Sequence, residues 1–107
     1  MKDYQLEKAH EIFEEGKKQG YLSSVSAHLT YGEIKENMGR LSEAKITYSK
    51  VIALESNNTE AHNKLGVVLY KLGSLDEAIE CYMQALALNP DYSEAHFNLG
   101  NTLYKLG

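Results

Sequence analysis

The sequence predicts an all-α fold of stacked antiparallel helix pairs, and three observations carry that prediction. First, Thr59–Gly73 and Ser93–Gly107 are near copies, identical at ten of fifteen positions and offset by 34 residues. A period that long marks one supersecondary unit repeated, each unit burying its apolar face against its neighbours. Second, apolar residues recur at spacings of three and four: Ala61, Leu65, Leu69 and Leu72 in one segment, then Leu75, Ala78, Ile79, Tyr82, Ala85 and Leu86 in the next. At about 3.6 residues per turn, each set falls on one helix face. Third, Gly39, Gly73 and Pro90 stand where those segments must stop.

Taken in order, residues 3–19 form a helix of the second type in each pair, because Leu6, Ala9 and Phe13 lie 35 residues before Leu41, Ala44 and Tyr48. It has no first-type helix of its own, and a loop to residue 24 absorbs one extra residue near Gly20-Tyr21-Leu22. The unit 25–58 follows, with helices at 25–38 and 42–55. Its Ala27, His28, Gly32 and Gly39 precede Ala61, His62, Gly66 and Gly73 by one period, and Leu41, Glu43, Ala44 and Tyr48 precede Leu75, Glu77, Ala78 and Tyr82. The unit 59–92 has helices at 59–72 and 76–89, and 93–107 is the first helix of a further unit, spanning 93–106. Six helices result. Ser74, Asn57-Asn58 and Asp91 each stand just ahead of a glutamate, as capping side chains do at helix starts. Gly32, Gly66 and Gly100, with Ala44 and Ala78, clear the crossing points. A helical glycine costs roughly 0.5–1 kcal/mol against alanine, so its recurrence implies close packing that recovers the loss. Tyr48 and Tyr82 fill the larger holes.

Composition narrows the function classes. With 107 residues, 43% hydrophobic, 24% charged and one proline, the chain is globular. A net charge of −4 lacks the basic excess that nucleic acid requires. No apolar run is long enough for a membrane span, and Met1-Lys2-Asp3-Tyr4 leads into charge where a signal peptide would be apolar. The lone Cys81 cannot form an internal disulfide, so a cytoplasmic location is the default. His28, His62 and His96 form a column, but equivalent residues on stacked helices sit about 10 Å apart while zinc needs its ligands at ~2 Å from one point. Packing is the expected role. No phosphate loop, H-E-x-x-H pair or G-x-S-x-G elbow occurs, so neither a cofactor nor an enzyme is expected.

The run His62-x-x-Leu65-Gly66-x-x-Leu69, with Ala78, Tyr82, Ala85 and Pro90, resembles the tetratricopeptide repeat, a helix-turn-helix of about 34 residues. The first unit departs from that signature at Tyr31, Lys35, Val51 and Ser56. The resemblance implies a right-handed α-α superhelix whose first-type helices line a concave groove. It places Asn63, Lys64, Val67, Tyr70 and Lys71, then Phe97, Asn98, Asn101, Tyr104 and Lys105, on that groove, with Glu60 and Glu94 beside them. Tyr70 and Tyr104, and Lys71 and Lys105, recur one unit apart, a pattern suited to an extended peptide. The carboxylate clamp used for chaperone tails needs lysine at place 5, asparagine at place 9 and asparagine at place 6 of the next unit. Leu29 and Glu33, or Asn63 and Val67, stand at the first two places. An asparagine ladder like that of O-GlcNAc transferases is supplied once, by Asn98 against Thr30 and Lys64. The resulting expectation is a non-catalytic protein-interaction scaffold for a peptide or partner helix. The alternatives are a homo-oligomer built through open ends, where Leu99, Leu103 and Leu106 await a neighbour, and the repeat region of a larger enzyme such as a glycosyltransferase.

Overall fold

Five chain reversals set the architecture, and each follows from the residues at its turn. The computed structural model describes residues 2–107, which form α1 (Lys2–Lys18), α2 (Val25–Asn37), α3 (Leu41–Leu54), α4 (Thr59–Lys71), α5 (Leu75–Leu88) and α6 (Ser93–Leu106). No strand occurs among the described residues. The helices stack as a right-handed solenoid with extents of 43 × 29 × 20 Å. First-type helices end on a left-handed glycine: Gly39 and Gly73 have φ of 80° and 87°. The Arg40 and Ser74 amides donate back to Lys35 O and Leu69 O at 2.9 Å, closing each helix as a Schellman turn. Gly20, with φ 78° and Tyr21 N bonded to Gly16 O at 2.8 Å, ends α1 the same way and absorbs the extra residue. The second-type helices α3 and α5 end instead on Glu55 and Asn89, neither with a positive φ.

The starts depart in detail from expectation. Asn58 does cap α4, accepting from Ala61 N at 2.8 Å, and Ser24 caps α2 through Ala27 N. Ser74 stands at the start of α5 without a side-chain cap bond, and α6 begins after Tyr92. Asp91 lies one residue too early to cap, and its own amide is held by Asn89 Oδ1.

Glycine and tyrosine interlock at the crossings. A Cβ on Gly32 would lie 2.5 Å from the Tyr48 ring, and one on Gly66 would lie 2.5 Å from the Tyr82 ring. Each ring therefore rests directly on the backbone of its paired helix, and its burial contributes on the order of 1.5–3 kcal/mol. Tyr48, Ala44 and Val68 form one buried cluster with Leu29, Leu41 and Leu65 packed against it, which ties α3 to both α2 and α4. Leu69, Ala78 and Tyr82 do the same among α4, α5 and α6, joined by Leu65 and Leu99. His62 and His96 secure the connecting loops, their Nε2 donating to Ser56 O at 2.9 Å and Pro90 O at 2.7 Å.

The α1 end is held differently. Phe13 stacks on Tyr31 with ring centroids 6.0 Å apart, and one period later the equivalent Tyr48 and Leu65 belong to one apolar cluster. Around that contact lies a polar cluster centred on Lys35, which is only 4% exposed. Its Nζ reaches Glu43 at 2.6 Å, His10 Nε2 at 3.3 Å, Glu14 at 3.5 Å and the Tyr31 ring face at 4.6 Å. Tyr31 donates its hydroxyl hydrogen bond to Glu14. Burial is the largest influence on the Lys35 ammonium and pulls its pKa down, but Glu43 and Tyr31 outweigh it and the net direction is up. Burial, Lys35 and Arg40 hold the His10 imidazole below its ordinary 6.5. Tyr31 holds Glu14, and Lys35 holds Glu43, below the ordinary carboxylate value. A neutral His10 accepting from Lys35 is the arrangement these directions describe.

Candidate functional site

Successive first-type helices are cross-linked along one face, and those links define the groove. From α4, Lys64 pairs with Glu33 of α2 at 3.0 Å and with Glu60 of its own helix at 3.8 Å, and Lys71 pairs with Glu36 of α2 at 2.6 Å. Glu36 also accepts from the buried Tyr48 hydroxyl at 3.1 Å. Burial, with Glu36 beside it, raises the Tyr48 pKa, so the phenol stays a donor. Toward α6, Asn63 donates to Glu94 at 3.3 Å and accepts from Asn98 at 3.0 Å. Lys105 of α6 places its ammonium 5.8 Å from the Tyr70 ring centre. That separation suits a cation–π contact.

Between α4 and α6 this face opens into a cavity of about 230 Å³ lined by Val67, Tyr70, Lys71, Tyr82, Asn98, Asn101 and Thr102. Five of the ten groove residues expected from the sequence meet there. Tyr82 and Thr102 are additions, both buried. Thr102 spends its hydroxyl hydrogen on Asn98 O at 2.7 Å. Burial pushes the Tyr82 phenol up to about 12, with Thr102 pulling the other way. Phe97 and the 88% exposed Tyr104 stand clear of this cavity. Asn63 is buried with both ends of its amide engaged, and Lys64 and Lys71 are paired with carboxylates. Asn63 and Lys64 act inside the stack, holding neighbouring repeats in register, and Lys71 links α4 to α2 from the exposed wall of the cavity. Lys105 forms no ion pair among the described residues, and its ammonium lies over the Tyr70 ring.

Two members of the histidine column, His62 and His96, hold loops as described above, and no group of histidine, cysteine and carboxylates among the described residues could hold a metal ion. Burial, with Glu80 and Glu77 nearby, pushes the Cys81 thiol up to about 11, which keeps it protonated and a poor nucleophile. Among the described residues no helix is long and apolar enough to cross a membrane.

The geometry defines a class: a short α-helical repeat solenoid whose first-type helices share one inner face. The family model described as TPR repeat matches residues 32–73 and again 68–107, well over half of the sequence. The chain belongs to the tetratricopeptide repeat family. Solved structures agree on the fold. The crystal structure of MamA superposes with a TM-score of 0.86 at 23% identity, covering 99% of this chain and 61% of that one. YrrB, described as a TPR protein with an unusual peptide-binding site, gives 0.84 at 24% identity over 96% of this chain and 53% of that one. The first TPR of Spaghetti (RPAP3), bound to an HSP90 peptide, gives 0.86 at 20% identity over 98% of this chain and 82% of that one. This chain thus spans about three fifths of the MamA chain and about half of the YrrB chain. No curated protein sequence matches it at a significant level.

Proposed function

We propose that this chain is a non-catalytic interaction scaffold that binds an extended peptide across the groove between α4 and α6, in a cytoplasmic setting. Its working units run 25–58 and 59–92, with 3–24 and 93–107 flanking them. The observation that carries the reading is the convergence of Val67, Tyr70, Lys71, Asn98 and Asn101 on one cavity. Two structural relatives are described with a peptide or a peptide-binding site, which supports the same class. Val67 and Tyr70 offer an apolar seat for one side chain, while Asn98 and Asn101 offer amides to the peptide backbone. Lys105 offers the charge for one carboxylate, and Phe97 and Tyr104 supply rings at the rim. The paired Lys64 and Lys71 and the missing clamp residues argue for a peptide with a single acidic group, unlike an acidic C-terminal tail.

Selecting peptides from a random displayed library on the immobilised chain tests this. Selected peptides are expected to bind several-fold or more weakly when Tyr70 and Asn98 are both replaced by alanine, with helicity unchanged. Equal binding to that variant moves the site elsewhere, and failure to select any sequence removes the peptide reading.

A further inference from the structure

One contact between successive first-type helices is made twice, with different chemistry. Lys71 of α4 and Lys105 of α6 stand one period apart, and so do the residues they reach back to, Glu36 of α2 and Tyr70 of α4. At the first contact the Lys71 ammonium lies 2.6 Å from a Glu36 carboxylate oxygen, so its charge is cancelled. At the second the Lys105 ammonium lies 5.8 Å from the Tyr70 ring centre, and the ring has no net charge to cancel it. Equivalent places thus differ by one charge.

Glu36 is fixed in its role. Its side chain is only 13% exposed, and its other oxygen accepts from the buried Tyr48 hydroxyl at 3.1 Å. Tyr48 rests on the Gly32 backbone, so the carboxylate cannot swing away without leaving a buried hydroxyl unpaired. Lys71, by contrast, is 45% exposed and lines the cavity between α4 and α6, where every other lining residue is uncharged. The field of Glu36 also reaches the cavity wall. Burial chiefly raises the Tyr82 phenol there, and Glu36 is among the smaller contributors in the same direction.

We propose that Glu36, from outside the cavity lining, sets the specificity of the cavity: by cancelling Lys71 it makes this a seat for an uncharged peptide side chain. The inference rests on the peptide reading given above. A carboxylate placed beside Lys71 would compete with Glu36 for one ammonium and stand close to a second, pinned carboxylate, a repulsion that selects against acidic residues. An amide or hydroxyl at the same place can bond to Asn98 or Asn101 and leave the ion pair intact. Glu36→Gln keeps an oxygen for the Tyr48 hydroxyl but removes the charge that cancels Lys71.

Peptides selected from the displayed library provide the test. One is remade with Gln, Glu and Lys at each position in turn, and its affinity is titrated on wild type, Glu36→Gln, Lys71→Met and Glu33→Gln, with helicity checked for each. At one position Gln is expected to bind wild type better than Glu. On Glu36→Gln the Glu-to-Gln affinity ratio at that position is expected to rise about fivefold, the scale of a partly exposed ion pair, while other positions keep theirs. Lys71→Met strands the Glu36 charge beside the cavity and is expected to raise the Lys-to-Gln ratio at the same position. Glu33→Gln removes an equal charge from a pair with Lys64, which does not line the cavity, and is expected to leave every ratio unchanged. Should Glu36→Gln lose helicity, the Lys71→Met ratio decides alone. Ratios that stay put in either folded variant, shift alike at all positions, or move as far with Glu33→Gln overturn the inference. Peptides indifferent to the joint replacement of Tyr70 and Asn98 by alanine contradict the site itself, whereas peptides that need those residues but show no such shift contradict only the role of Glu36.

Discussion

Lys35 and Leu69 occupy the same place in consecutive repeats, are 4% and 3% exposed, and are surrounded by opposite chemistry. Leu69 lies against Ala78, Tyr82 and their apolar neighbours, with α5 and α6 completing the cluster. Lys35 lies among His10, Glu14, Glu43 and Tyr31, with α1 and α3 contributing the partners. One backbone arrangement is thus held at one end by apolar burial and at the other by a charged cluster. The difference teaches that repeat geometry does not dictate how a junction responds to its surroundings. Apolar burial is indifferent to pH, while a buried lysine with two carboxylates and a neutral histidine is not.

The largest effect is expected at the apolar junction. Tyr82→Ala empties the hole over Gly66 and should cost about 3–5 kcal/mol, read from urea unfolding. The matching truncation at the other end, Phe13→Ala, should strip hydrogen-exchange protection from α1 alone. If it unfolded the whole chain as Tyr82→Ala does, the two ends would not be independent. Next in size is Gly66→Ala, whose Cβ would drive into the Tyr82 ring 2.5 Å away and destabilise by about 1–3 kcal/mol. Gly100→Ala meets nothing within 4 Å, so the same substitution one period later should stabilise by about 0.5–1 kcal/mol in thermal melts of dilute protein. Equal signs at Gly66 and Gly100 would contradict the filled space at the first and the open space at the second.

Much of this was legible in the sequence. The helices lie within a residue of the bounds read from the period, because Gly39, Gly73 and Pro90 impose backbone conformations that hold in any context. The groove list reached half of its residues to the cavity because residues on one face of successive first-type helices must adjoin. Tyr82 and Thr102 were missed because they line it from within the core, where the pattern marks them as packing. The engagement of Lys64 with Glu33, and of Lys71 with Glu36, was signalled by opposite charges about one period apart. The spacing puts them on adjacent helices, and the choice of partner depends on rotamers. The Lys35 cluster had no comparable signal. Its partners come from α1 and α3, and Lys35 appeared only as a departure from the family's tyrosine.

The smallest global effect, and the sharpest local one, concerns acid. Glu14 and Glu43 have lowered values in the fold, so their contribution is present above the ordinary carboxylate value and is lost as pH falls through the lowered one. His10 also has a lowered value, so below its ordinary 6.5 the undocked state takes up the proton more readily and docking weakens. All three groups carry the same sign. Lys35→Leu, which copies the second repeat, should remove the Glu43 share of this dependence, because Lys35 is the main reason for the lowered Glu43 value, and leave the shares carried by Glu14 through Tyr31 and by the buried His10. An acid dependence wholly unchanged in that variant would show that the pairing of Lys35 with Glu43 contributes nothing to it.

The most direct measurement is amide hydrogen exchange followed helix by helix as the pH is lowered from neutral toward the carboxylate range, with rates corrected for intrinsic chemistry. Two chemistries on one backbone arrangement predict that α1 loses protection first while α4 and α5 keep theirs. Protection lost together in all helices, or lost first in α4 and α5, would contradict it.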